Sequence, residues 1–262
     1  MTAQSKFVWH DLMTTDVEKA KAFYGELFGW KFYRGEGGDP YEHIVGPGGA
    51  EIGGMMKQDP AHGAPPHWIG YVSCENVDAA VKTAQASGGK TFVPPSDIPR
   101  VGRFAVVADP QGAVFSPFLY TGKDGMAAET NSRPAPYTFC WDELVTTDPD
   151  AAAKFYSTVF GWGVESMDMQ GFGKYTLLKR TGVKDEMNAD KSAGGVMKAP
   201  PMVPHPFWMT YIAVPNADDA VAKAQKLGAK VLAPAMDIPN VGRFASFMDP
   251  QNAAFAVLAP PA

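Results

Sequence analysis

Asp11 and Glu143 each stand two residues after a tryptophan, Trp9 and Trp141, on segments that read as β-strands. Strand alternation puts Trp9, Asp11 and Met13 on one face and His10 and Leu12 on the other. A carboxylate held in apolar surroundings has a raised pKa and can act as a general base beside a carbonyl, so Asp11 and Glu143 are the candidate catalytic residues. The cheapest partner for such an acid is a guanidinium fork. Arg103 and Arg243, both in a repeated Val-Gly-Arg-Phe segment, are the ones available to supply it.

Four indoles, Trp9, Trp68, Trp141 and Trp208, add flat π surfaces. They either stack a conjugated ligand or simply fill a core, and the volume of the enclosed space decides between the two. Tyr24 and Tyr156 fall at helical spacing beside Phe23 and Phe155, so they read as sheet-packing residues with the hydroxyl at the edge. Gly53-Gly54 and Gly194-Gly195 open no helix and are not phosphate loops. They suit a bent strand or a ligand close to the backbone. Cys74 and Cys140 have no repeated counterpart and read as buried free thiols. His43, His62 and His205 are likewise unmatched, and surface roles are expected for them.

These residues are positioned by a duplication. The run from Trp9 to Trp30 returns from Trp141 to Trp162, 132 positions on at both ends (141 − 9 and 162 − 30). The run DIPRVGRFAVVADPQGAVF from Asp97 returns as DIPNVGRFASFMDPQNAAF from Asp237, 140 positions on. The extra residues fall near the polar run 183–190, where a longer loop costs little. Each half reads as strand, helix and three strands, twice over, with helices capped by Asp16, Asn76, Asp148 and Asn216. A lone βαβββ unit leaves one sheet face bare, so two units must share a curved sheet. The predicted fold is therefore α+β: tandem duplicated βαβββ units in two domains, each with two paired modules forming a sheet cup. Residues 1–122 form the first domain, 123–135 a polar, Pro-containing linker, and 136–262 the second.

Composition narrows the function classes. The net charge is −5 and the 23 Lys and Arg are scattered, which argues against nucleic acid or an anionic membrane as partner. No apolar run is long enough for a signal peptide or a membrane span, so a cytoplasmic location is expected.

The paired TTDxxxAxxFYxxxFGW motif after each opening strand, the GlyGly-ended second helix, and DPQGAVF with DPQNAAF near the closing ends resemble the vicinal-oxygen-chelate superfamily. That superfamily includes glyoxalase I, extradiol dioxygenases, and bleomycin- and fosfomycin-resistance proteins. The WHDL and WDEL openings are similar to its two-domain glyoxalase-like subgroup. The resemblance implies a divalent ion held by ligands on the opening and closing strands of paired units. Seven residues before the capping Asp16 and Asp148 this chain has Trp9 and Trp141, and indole cannot ligate a metal. Trp68 and Trp208 stand on the opening strands of the other units, Ser116 and Ala256 on the closing strands, and Gly54 and Gly195 near the fourth position.

The expected function is therefore metal-independent binding of a small aromatic or carbonyl compound, of resistance type or weakly catalytic, with no metal site and no cofactor. Its binding residues would be Trp9, Asp11, Met13, Gly54, Trp68 and Ser116 in one half and Trp141, Glu143 and Trp208 in the other. The alternative is a divalent-metal glyoxalase I-like lyase or dioxygenase recruiting His10, His67 and Glu51. Because tandem fusion supplies the pairing that single-domain relatives obtain by dimerising, a monomer is expected, with a small molecule as its partner.

Overall fold

Each helix begins where a side-chain oxygen takes up an orphan backbone N–H. Asp16 accepts from the Lys19 amide, Asn76 from Ala79, Asp148 from Ala151 and Asn216 from Asp219. The first and third helices stop at Gly29 and Gly161, whose φ values of 73° and 70° lie in the left-handed region that glycine enters without penalty.

The computed structural model describes residues 5–35, 40–59, 61, 63–122, 134–169, 173–180, 192–201, 203 and 205–261. Most of the expected linker, the 183–190 insertion and His62 lie outside them. The first βαβββ unit is β1 (Phe7–Thr14), α1 (Val17–Phe28), β2 (Lys31–Arg34), β3 (Glu42–Val45) and β4 (Glu51–Lys57). The second is β5 (His67–Ser73), α2 (Val77–Ala86), β6 (Lys90–Ile98), β7 (Gly102–Ala108) and β8 (Val114–Tyr120). The third is β9 (Phe139–Thr146), α3 (Pro149–Phe160), β10 (Gly163–Met169), β11 (Gly173–Lys179) and β12 (Ser192–Lys198). The fourth is β13 (Phe207–Ala213), α4 (Ala217–Lys226), β14 (Lys230–Ile238), β15 (Gly242–Met248) and β16 (Ala254–Ala259).

The strands form two eight-stranded sheets, ordered β2-β3-β4-β1-β5-β8-β7-β6 and β10-β11-β12-β9-β13-β16-β15-β14. This is the α+β arrangement of paired βαβββ modules that the duplication implies. Compaction groups the modules differently: the first and fourth pack into one compact unit, the second and third into the other.

In the first of these units, α1 buries Ala20, Phe23, Tyr24, Leu27 and Phe28, the stripe its spacing predicts. They meet Leu12, Ile44 and Met55 from the first module and Ile212, Phe247 and Phe255 from the fourth. In the other unit, Phe155, Tyr156 and Trp162 pack with Leu144, Leu178 and Val196 from the third module and Val72, Val107 and Phe115 from the second. Both cores sit on the helix side of the strands that form them. The opposite strand faces hold Asp11 and Glu143.

Candidate functional site

On β1, Leu12 is wholly buried in the core and His10 stacks on Phe139 at 4.2 Å, which leaves Trp9, Asp11 and Met13 for the opposite face. Asp11 is only 5% exposed. It lies opposite Gly54 of the parallel strand β4. Gly54 matters because of what covers it. A Cβ built there would overlap the hydroxyl and ring of Tyr41 and come within 2.8 Å of Asp11 Oδ1. The missing side chain admits a phenol, Tyr41, that the ungapped repeat does not mark.

Three polar side chains converge at this point. The Tyr41 hydroxyl donates to Asp11 Oδ1 at 2.6 Å, and the Trp9 indole N–H is shared between the same oxygen, at 2.9 Å, and the Tyr41 hydroxyl, at 2.8 Å. Hydrogen bonds onto an ionised carboxylate are shorter and about twice as strong as neutral ones. The second half repeats the device. Glu143 lies opposite Gly195 in β12, the Tyr175 hydroxyl donates to Glu143 Oε2 at 2.8 Å, and a Cβ at Gly195 would overlap that hydroxyl. Tyr41 and Tyr175 are 134 positions apart, matching neither the 132-residue nor the 140-residue offset, so ungapped alignment of the repeats does not pair them.

Several expected site residues lie elsewhere. Trp68 and Trp208 are core residues: each is at most 5% exposed, and their N–H groups donate to the Tyr24 and Tyr156 hydroxyls at 3.1 and 2.9 Å. The seven-residue count that gives Trp9 from Asp16 gives Ile69 from Asn76 and Met209 from Asn216. Trp68 and Trp208 are one residue earlier, and alternation turns them to the other face. Ser116 is fully buried and its hydroxyl donates to the Ala105 carbonyl at 2.7 Å.

Arg103 and Arg243 do not reach the carboxylates. Arg103 forks onto Asp78 and reaches Asp97, and Arg243 forks onto Asp218 and reaches Asp237, clamping α2 to β7 and α4 to β15 at the surface. Tyr24 and Tyr156 are not edge residues either. Their hydroxyls are fully buried and donate to Asp249 and Asp109 at 3.1 and 3.2 Å. Burial pushes both of these acids above the usual carboxylate value, against the pull of backbone N–H donors in their own turns. Cys74 is buried and its thiol is pushed up to about 11 by desolvation, while Cys140 is half-buried. His205 is exposed.

The side chains present do not fit a divalent ion. Indole Nε1–H is a donor with no lone pair to give, Gly54 and Gly195 have no side chain, and tyrosine hydroxyls aimed at carboxylates fill the space beside them. The rival donors His10, His67 and Glu51 are not brought together. His10 stacks on Phe139, His67 Nδ1 lies 2.8 Å from the Pro65 carbonyl, and Glu51 accepts from Tyr33. Among the described residues no three His, Cys, Asp or Glu side chains cluster as metal ligands.

Paired βαβββ modules with a buried acid on the face away from the helices define a cupped-sheet protein of the glyoxalase and dioxygenase kind. A family model described as Glyoxalase/Bleomycin resistance protein/Dioxygenase superfamily matches residues 6–116, and one described as Bleomycin resistance protein-like N-terminal matches residues 138–177. The chain is 36% identical over 257 residues to "Putative glyoxylase CFP32" of Mycobacterium tuberculosis, covering 96% of this chain and 94% of that one. It is 29% identical to "Anthracycline biosynthesis protein DnrV" of Streptomyces peucetius, covering 95% and 91%. The protein belongs to the glyoxalase/bleomycin resistance/dioxygenase superfamily.

Among solved structures, a Mn(II)-bound glyoxalase from Novosphingobium aromaticivorans superposes with a TM-score of 0.64 at 15% identity, covering all of this chain and 85% of that one. Homoprotocatechuate 2,3-dioxygenase from Brevibacterium fuscum, in complex with 3,4-dihydroxyphenylacetate, gives 0.64 at 14% identity, covering 100% and 82%. At these identities the likeness is one of fold.

Proposed function

We propose that the chain is a metal-independent member of its superfamily that binds a flat aromatic or carbonyl-bearing small molecule on the sheet faces around Asp11 and Glu143. One observation carries this reading: Tyr41 and Tyr175 occupy the space a side chain at Gly54 or Gly195 would need, and each donates a hydrogen bond to a buried carboxylate. Such a pair handles protons without a Lewis acid. The phenol can turn its hydrogen bond from the acid to a ligand oxygen, and the acid can accept an acidic ligand proton. Trp9 and Trp141 supply flat apolar surface beside each pair, and Met13 extends it in the first half. Two relatives whose names refer to a glyoxylase and to anthracycline biosynthesis fit a carbonyl-bearing, polycyclic ligand. The chain works as a cytoplasmic monomer in this reading.

Elemental analysis and calorimetry on the purified protein test it. Metal well below one equivalent is expected, together with binding of a hydroxyanthraquinone that survives chelator and weakens about tenfold in Tyr41→Phe, the loss of one hydrogen bond to a ligand oxygen. The reading fails if Mn, Ni, Zn or Fe is present at one equivalent and chelation abolishes glyoxalase or ring-cleaving activity.

A further inference from the structure

The strand partners of the two acids are not the same. In the first half, cross-strand pairing sets Tyr33 opposite His43, His43 opposite Gly54, and Gly54 opposite Asp11, a row across four strands. The matching row of the second half is Glu165, Leu177, Gly195 and Glu143. Directly paired residues point to the same side of a sheet, so each row lies on the face of its acid. Two rings of the first row are thus replaced by a carboxylate and an isobutyl group in the second.

The first row is rigid. The Tyr33 and His43 rings lie parallel, with centroids 4.7 Å apart and an interplanar angle of 8°. His43 meets the Tyr41 ring edge-on at 5.0 Å and 84°. The Tyr33 hydroxyl is tied down by donation to Glu51 of β4. A ring fixed by a hydrogen bond and by its neighbours has little freedom left to lose when a ligand arrives. Tyr33 is 42% exposed, so the stack borders the site with accessible π surface.

The second face is aliphatic and adaptable. Tyr175 pairs with Met167 on one side and Met197 on the other, and Met197 pairs in turn with Val145. Met167 is 40% exposed, Leu177 and Met197 are half-buried, and Glu165 is ion-paired with Lys179 at 3.3 Å. Methionine is unbranched, with three rotatable bonds, and reshapes around an irregular guest. A fused ring system gains less there, because the row beside Glu143 has no ring to meet it.

We infer that the two faces divide ligands by shape: the first takes a rigid planar polyaromatic compound and the second a flexible alkyl carbonyl compound. The specificity-determining residues are Tyr33 and His43 in the first half and Glu165 and Leu177 in the second. This rests on the function proposed above and assigns the two parts of its ligand class to different sites of one chain.

Indole N–H signals in a ¹⁵N–¹H spectrum of the full chain report each face separately. Trp9 and Trp141 each stand two residues before an acid, and their signals are assigned by loss in Trp9→Phe and Trp141→Phe. Hydroxyanthraquinone should half-shift the Trp9 signal at a concentration about fivefold lower than it needs for Trp141, the worth of one aromatic contact. Octan-2-one, flexible and neutral, should show the reverse order. Tyr33→Glu with His43→Leu, which installs the second row in the first half, should remove the preference of hydroxyanthraquinone for the Trp9 site. The reciprocal pair, Glu165→Tyr with Leu177→His, should bring Trp141 to the sensitivity of Trp9.

The buried indoles Trp30, Trp68, Trp162 and Trp208 report whether each variant is folded, and if one pair does not fold the other decides. Equal or inverted half-shift concentrations for either probe in the native chain overturn the inference and spare the proposed function. So does a native order that survives in a folded double variant. No shift of either indole by either probe sinks the proposed function and the inference with it.

Discussion

Removing the Tyr41 hydroxyl takes from Asp11 its 2.6 Å donor and from the Trp9 N–H one of its two acceptors, while the ring can stay against His43. Hydrogen bonds to charged groups contribute about 1.5–3 kcal/mol, so Tyr41→Phe should lower unfolding free energy by roughly that much in a urea titration. Tyr24→Phe is a harsher change. It strands the buried Trp68 N–H and strips Asp249 of its phenolic donor inside a fully buried cluster. A loss of about 3 kcal/mol, at the upper end of this range, is expected, and a Tyr24→Phe protein as stable as Tyr41→Phe would contradict the ranking. At this scale the acids were legible and their partners were not. Asp11 and Glu143 stand out because they fall at the same place in an ungapped repeat. Tyr41 and Tyr175 do not, because the chain between the opening strand and each phenol differs by two residues. Arg103 and Arg243 have the right charge to pair with the acids, but local aspartates claim them first.

Between elements, the fit of β3 over β4 depends on an absent side chain. Gly54→Ala would force its new methyl group into the Tyr41 hydroxyl, and overpacking of this sort costs about 1–3 kcal/mol. A double-mutant cycle isolates the cause. In a Tyr41→Ala background the same Gly54→Ala change should cost much less, with only the 2.8 Å approach to the end of the Asp11 side chain left to relax, and additivity of the two changes would refute the steric account. Gly195 with Tyr175 should behave the same way. Element boundaries were readable from caps and stops, since Asp16, Asn76, Asp148 and Asn216 all cap as their sequence context predicts. The facing of β5 and β13 was misread because large aromatic residues suit a core and a binding face equally well. Only the distance to the helix cap separates the two, and it assigns the face away from the helices to Ile69 and Met209 and the core to the indoles one residue earlier.

At the scale of the molecule, each compact core encloses a tyrosine–aspartate–tryptophan group, and the two acids give folding a pH dependence. Burial raises Asp109 and Asp249 above their usual value of 3.8, so the folded chain holds these protons to higher pH than the unfolded chain does. The stability this contributes is fully present below the unfolded value and is lost as pH rises through the raised folded values. Half-buried Asp16 and exposed Asp78 and Asp218 act in the opposite sense. Asp16 is lowered chiefly by the Lys19 amide, and the other two by Arg103 and Arg243, so they favour folding above 3.8 and cease to do so on acidification. Asparagine at 109 and 249 can still accept the backbone N–H bonds of each turn but does not titrate. The double variant Asp109→Asn with Asp249→Asn should therefore lose less stability than the native chain as pH is raised from about 4 to about 7, compared by urea unfolding at each pH. If the two proteins trace parallel curves across that interval, the buried acids are not the source of the dependence.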